Sequence, residues 1–203
     1  MENKDKIKID RALKLIAKLS IDKSSQVLSK MIKSGASIEL EDVYMADISR
    51  VTEEVMLKAD NEVVGAFIDL VGDAPFKFLF YVNTKDSLVL TDLMLRREIG
   101  LTKEFNLYAQ SAVQELGNIL ASAISNIFST DFQISMKPKP PTVINDFESI
   151  VFQEYVIDAA CERNEILIIQ SIFRIVKFDI HCSMFIMPLG KSEQILQYVT
   201  GFM

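Results

Sequence analysis

Histidine occurs once and cysteine twice in these 203 residues. The cysteines, Cys161 and Cys182, show no CxxC spacing, and His181 has no metal-type neighbours in sequence. That leaves neither a zinc motif nor a disulfide framework, and the expectation is two buried thiols in a reducing, cytoplasmic setting. No run of 18 apolar residues occurs, so no membrane-spanning helix is expected. The first ten residues, "MENKDKIKID", are charged and lack the apolar core of a signal peptide. Basic clusters are also missing. With 22 Lys and Arg against 28 Asp and Glu the net charge is -6, the pI is near 4.9, and a nucleic-acid partner is excluded for want of a face that neutralises phosphates.

What is present is a composition able to fold: 49% hydrophobic and 25% charged residues, enough for one sizeable core. Helical spacing predicts a long helix from about Lys6 to Ile32, ending before "KSGAS". "SIELEDVYM", "EVVGAFIDLVG" and "FKFLFYVN" read as strands, the last two separated by "DAP", and "TKDSLVLTDLMLRR" reads as a helix. The second half repeats that order. A long helix from about Phe105 to Phe128 precedes a strand "DFQISM" and the breaker run "KPKPP". Strands follow within "FQEYVIDAACE", "EILIIQSIFRIV" and "KFDIHCSMFIMP", then a helix in "KSEQILQYV". The long helices align at an offset of 100 and the late strand and helix at 106, which implies a small insertion in the second half. The organisation expected is therefore a single domain over 1–203, built of half-repeats at about 6–99 and 104–203. Two such halves join most economically into one sheet with helices packed on it, an α+β arrangement.

The helix of the second half carries two stripes. Val113, Leu116, Leu120, Ile124 and Ile127, with Gly117 among them, fall on one side of the wheel. Ser111, Glu115, Asn118 and Ser122 fall roughly opposite and should face outward. Asn is a poor former in a helix interior, so Asn118 has a cost that asks for a reason. Glu115 and Asn118 are neighbours on the helix surface and can address one target. From Leu107 to Thr130 there is no Lys or Arg, which leaves a strip that another protein can approach. A carboxylate there pairs with a cation, while a carboxamide both donates and accepts and can orient a water.

Ser111, three residues, Glu115, two residues, Asn118, then twenty-two residues to Pro141 resembles the signature of the CheC, CheX and FliY family of response-regulator phosphatases. "ELGNIL" is similar to that family's helix. The resemblance implies a pseudo-two-fold α+β fold, with duplicated halves forming one broad antiparallel sheet and two long helices packed on one side. It implies hydrolysis of the aspartyl phosphate on a CheY-like receiver in chemotaxis, Asn118 orienting the water and Glu115 pairing with the receiver's lysine. Ser111 and Pro141 would support the site. No cofactor of its own is implied; the Mg²⁺ would come with the response regulator. CheD, the receptor deamidase, is a further partner the family implies, and the rival reading is a non-catalytic adaptor binding CheD or the flagellar switch. FliY-like members carry an additional switch domain, and the chain stopping at Met203 makes a CheC-type protein the expectation. At the offset of 100 the first half presents Arg11, Leu15, Lys18 and Glu41 in place of the motif. One active site, not two, is therefore expected.

Overall fold

A computed structural model describes residues 26, 29, 36–54, 60–160 and 164–190. The expected long helix at about Lys6–Ile32 and the final helix in "KSEQILQYV" fall largely or wholly outside these residues. The strands β1 (Ala36–Asp47), β2 (Glu62–Gly72) and β3 (Phe76–Asn83) match the sequence reading, with a four-residue helix α1 (Val51–Glu54) between the first two. Helix α2 (Thr84–Met94) closes the first half. Helix α3 (Leu107–Asp131) opens the second. It is followed by β4 (Met136–Pro138), β5 (Thr142–Phe147), α4 (Glu148–Ala160), β6 (Glu165–Ile175), a short 3₁₀ turn (Val176–Phe178) and β7 (Ile180–Pro188).

Two expectations change here. The strand placed in "DFQISM" is reduced to its last residue, because α3 runs on to Asp131 and the paired segment begins at Met136. The strand placed in "FQEYVIDAACE" is instead part of α4. Its aromatic and β-branched residues suggested a strand, but Val151, Phe152, Tyr155 and Val156 recur at helical spacing and are all buried. Tertiary burial of that stripe outweighs local β preference.

The seven described strands form one antiparallel sheet in the order β1-β6-β7-β3-β2-β4, with β5 also pairing β2. The order is palindromic about the β7–β3 pair. Each half contributes a hairpin to the centre, and each half's leading strand crosses to the other half's hairpin: β1 pairs β6, while β4 and β5 pair β2. The registers locate the duplication. Leu79 lies opposite Phe185, its own counterpart at the offset of 106, so the pseudo-two-fold passes through that pair. Ala66↔Phe80 corresponds to Ile169↔Ile186, and Leu70↔Phe76 to Phe173↔Cys182. Met136↔Gly72 corresponds to Ala36↔Ile175, and Phe147↔Glu62 to Asp47↔Glu165, which preserves the offset of 100 along the leading strands. The single insertion expected in the second half is therefore two. One lies between the leading strand and the hairpin, where 148–164 replaces 48–61. The other lies in the hairpin turn, where 176–181 replaces 73–75.

Side chains alternate across the sheet as the pleat requires. Val64, Ala66, Ile68 and Leu70 of β2, with Phe78 and Phe80 of β3, meet α2 and α3 on one face. Val63, Leu79, Tyr81, Phe185 and Met187 meet Val151, Phe152 and Tyr155 of α4 on the other. The described helices thus cover both faces, α4 taking the side that the two-helices-on-one-side expectation left open. The α4 N-terminus is held by Glu148 in its first turn, whose Oε1 accepts from Tyr81 Oη at 2.6 Å and whose Oε2 accepts from Asn61 Nδ2 at 2.8 Å. Burial, and then Glu148 itself, push the Tyr81 phenol above its ordinary range. The hydroxyl stays a donor.

Candidate functional site

Helix α3 begins where the Asn106 side chain accepts from the amides of Tyr108 and Ala109, at 3.0 and 3.2 Å. That cap satisfies two of the donors a helix start leaves open. The segment leading into it is held from α2. Asp92 is fully buried, and its carboxylate accepts from Arg97 Nε at 2.7 Å, from the amides of Gly100 and Leu101 at 2.7 and 3.0 Å, and from the amide and hydroxyl of Thr102. Burial alone would raise this carboxyl, but the hydrogen bonds from Thr102, Arg97 and Gly100 outweigh it and hold it down to about 2.

From that start α3 runs for 25 residues. Val113, Leu116, Gly117, Leu120, Ile124, Ile127 and Phe128 are buried along it, each large apolar side chain contributing about 1.5–3 kcal/mol. Gly117 sets how near the helix comes to the sheet. A Cβ there would lie 3.1 Å from Ala66 Cβ and 3.2 Å from Ile68 Cδ1, closer than side chains normally approach. Ser111 and Glu115 are exposed on the opposite stripe, while Asn118 and Ser122 are half-buried. The outward stripe read from the sequence is therefore open at its N-terminal end and partly sheltered from Asn118 onward.

The shelter is a proline wall. β4 and β5 lie end to end along the outer edge of β2, and the pairing steps from Pro138↔Leu70 to Thr142↔Phe67, so the run Lys139–Pro141 contains one residue more than β2 opposite it. Prolines suit this edge because they have no N–H to offer the ladder. Ser111, Gln114, Glu115 and Asn118 on the helix, with Pro138, Pro140 and Pro141 on the wall, line a groove of about 460 Å³. Among the described residues Glu115 is the sole charged one in that lining. Lys139 points its Nζ to Asp69 Oδ2 at 3.3 Å on β2. The wall is joined to the helix at two points: Gln114 Nε2 donates to the Pro141 carbonyl at 3.2 Å, and Ser125 Oγ donates to the Met136 carbonyl at 2.5 Å.

The groove therefore brings together all four residues singled out from the sequence, Ser111, Glu115, Asn118 and Pro141. It adds Gln114, Pro138 and Pro140. Gln114 had no sequence signal because it falls between the two helical stripes, and "KPKPP" suggested only an interruption. Among the described residues no three His, Cys, Asp or Glu side chains gather to hold a metal ion. Cys182 is buried, and burial raises its thiol well above the ordinary range. Cys161 lies outside the described residues, as do Arg11, Leu15 and Lys18. Glu41, the first-half counterpart of Pro141, occupies the equivalent register break in β1 and accepts from Gln170 Nε2 at 2.9 Å. No described helix is long and apolar enough to cross a membrane.

Residues 109–144, which span the helix motif and the wall, match the model of the CheC-like family. The fold is similar over its whole length to FliY of Thermotoga maritima, at a TM-score of 0.74 and 13% identity, covering 100% of this chain and 98% of that one. It is also similar to the FliM middle domain of H. pylori, at 0.62 and 12%, covering 98% and 99%. A third likeness is to the chemotaxis protein CheX of Desulfovibrio desulfuricans, at 0.56 and 14%, covering 86% and 99%. Segment and fold together support the CheC, CheX and FliY family. These likenesses do not rank CheC above FliY or CheX. At such identities the likenesses show the fold of this chain.

Proposed function

We propose that this CheC-like protein hydrolyses the aspartyl phosphate of a CheY-like response regulator, with the α3 groove as its active site. The observation that supports this is the meeting of Glu115 and Asn118 in one groove where, among the described residues, Glu115 is the only charged one. An acyl phosphate is reactive by nature, so its hydrolysis needs a placed water more than a strong base. The Asn118 carboxamide, half-buried, can hold such a water by accepting from it or donating to it. The exposed Glu115 carboxylate can pair with the receiver's lysine and so set the approach. The receiver's own Mg²⁺ neutralises the phosphoryl oxygens, and the side chains described here have only to position. Ser111 and Pro141 contribute to the lining of the groove.

A second reading is supported by the likeness to FliM: a non-catalytic adaptor that binds CheD or the flagellar switch through the same fold. Decay of a radiolabelled receiver phosphate, with and without the purified protein, separates the two. The phosphatase reading expects acceleration that falls by about 100-fold in Asn118→Ala and at least about tenfold in Glu115→Ala. Both variants should fold normally, since neither side chain belongs to the buried stripe. Full activity in either variant would overturn the assignment, and no acceleration by wild type would favour the adaptor.

A further inference from the structure

The groove has one fixed side and one that could move. Its helix side is seated hard on β2 through Gly117, whereas its wall is an edge segment interrupted by a register break. Within that break Lys139 N donates to Asp69 O at 2.8 Å, but Pro140 and Pro141 have no N–H with which to join the sheet. Pro141 is nevertheless buried. The Gln114 amide meets its carbonyl there, and Gln114 stands on α3 directly before Glu115. Ser125 closes the far end of the wall in the same manner, side-chain donor to backbone carbonyl.

Building on the phosphatase reading, we propose that Gln114 is a positioning residue: by holding the Pro141 carbonyl to α3 it fixes the width of the groove, and with it the place where the receiver's phosphorylated loop seats against Asn118. It touches no reacting atom in this role. A misplacement of about 1 Å at such a site costs up to about 100-fold in rate, while losing one part-buried neutral hydrogen bond should lower the thermal midpoint by only a few degrees. Rate and stability should therefore separate.

The test uses the full chain and a phosphorylated receiver, with kcat and KM measured beside thermal stability. Gln114→Met keeps the side chain's length without its donor, and it is expected to lower kcat about tenfold with KM changed less than about threefold. Gln114→Glu adds a diagnostic pH response. Ionised, it faces the Pro141 carbonyl with no donor; protonated, it can donate, so its rate relative to wild type should rise as pH falls from about 7 to about 5. Active wild type together with an equally active Gln114→Met protein would overturn the role of Gln114 alone. An inactive wild type would overturn the phosphatase reading and this inference with it. A variant that loses rate only in proportion to its loss of folded protein would also count against positioning.

Discussion

Gly117 sits between Glu115 and Asn118 and shows how a residue without a side chain can govern a site. Ala is about 1 kcal/mol better than Gly in a helix interior, yet the added methyl would press on Ala66 Cβ at 3.1 Å and Ile68 Cδ1 at 3.2 Å. Ala66 belongs to β2, paired on both edges, so the helix and not the strand should give way, by a few tenths of an ångström. The two stability effects nearly cancel and the displacement remains. Gly117→Ala is thus expected to change unfolding free energy by less than about 1 kcal/mol while, on the proposed phosphatase function, lowering kcat several-fold. Urea unfolding and single-turnover dephosphorylation measured on one preparation check both halves of that statement. At this scale the sequence was readable where chemistry and helical phase coincide, as at Ser111, Glu115 and Asn118. It was silent at Gln114, whose partner is a backbone carbonyl 27 positions away.

Among the elements, α3 depends on the segment that delivers it. Asp92 anchors that segment from α2, and its carboxyl is held near 2 against an ordinary 3.8. A folded value below the unfolded one means that ionised Asp92 stabilises the fold above about pH 4, and that this contribution disappears as pH falls from about 4 to about 2. Hydrogen exchange should show the amides of Gly100, Leu101 and Thr102 losing protection in that window ahead of the β2–β3 hairpin. Uniform loss across the molecule would contradict the local clamp. Asp92→Asn should produce the same local loosening at neutral pH, because an amide replaces a carboxylate oxygen that accepts from several donors at once. Elements were legible where an apolar, β-rich run met a breaker: β2 and β3 lie where their runs and "DAP" placed them. α4 was misread because its buried aromatic and β-branched residues are good strand formers, and only its seat on the reverse face of the sheet makes a helix of them.

For the whole molecule, the pseudo-two-fold raises the question of whether one chain has one site or two. The register break that Pro141 occupies in the second half is occupied in the first by Glu41, which is exposed and engaged with Gln170. Arg11, Leu15 and Lys18 stand where the motif has Ser, Glu and Asn. On the proposed phosphatase reading a second site would need its own carboxylate and carboxamide, and the sequence has Leu15 and Lys18 at those positions. Calorimetric titration with a receiver locked by a phosphate analogue should therefore saturate at one receiver per chain, and two equivalent binding events would show the first half to be a working site. What the sequence by itself determined was the duplicated α+β organisation, the strand runs of both halves and a motif whose Ser111, Glu115 and Asn118 lie on a helix with a polar outer stripe. Those follow from periodicity and spacing, which are local. The crossing of each leading strand to the opposite hairpin, the two separate insertions, the placement of α4 on the reverse face and the proline wall closing the groove were decided by the tertiary structure. All four depend on which segments share an edge or a face, and pairing partners distant along the chain leave no mark on the period of either one.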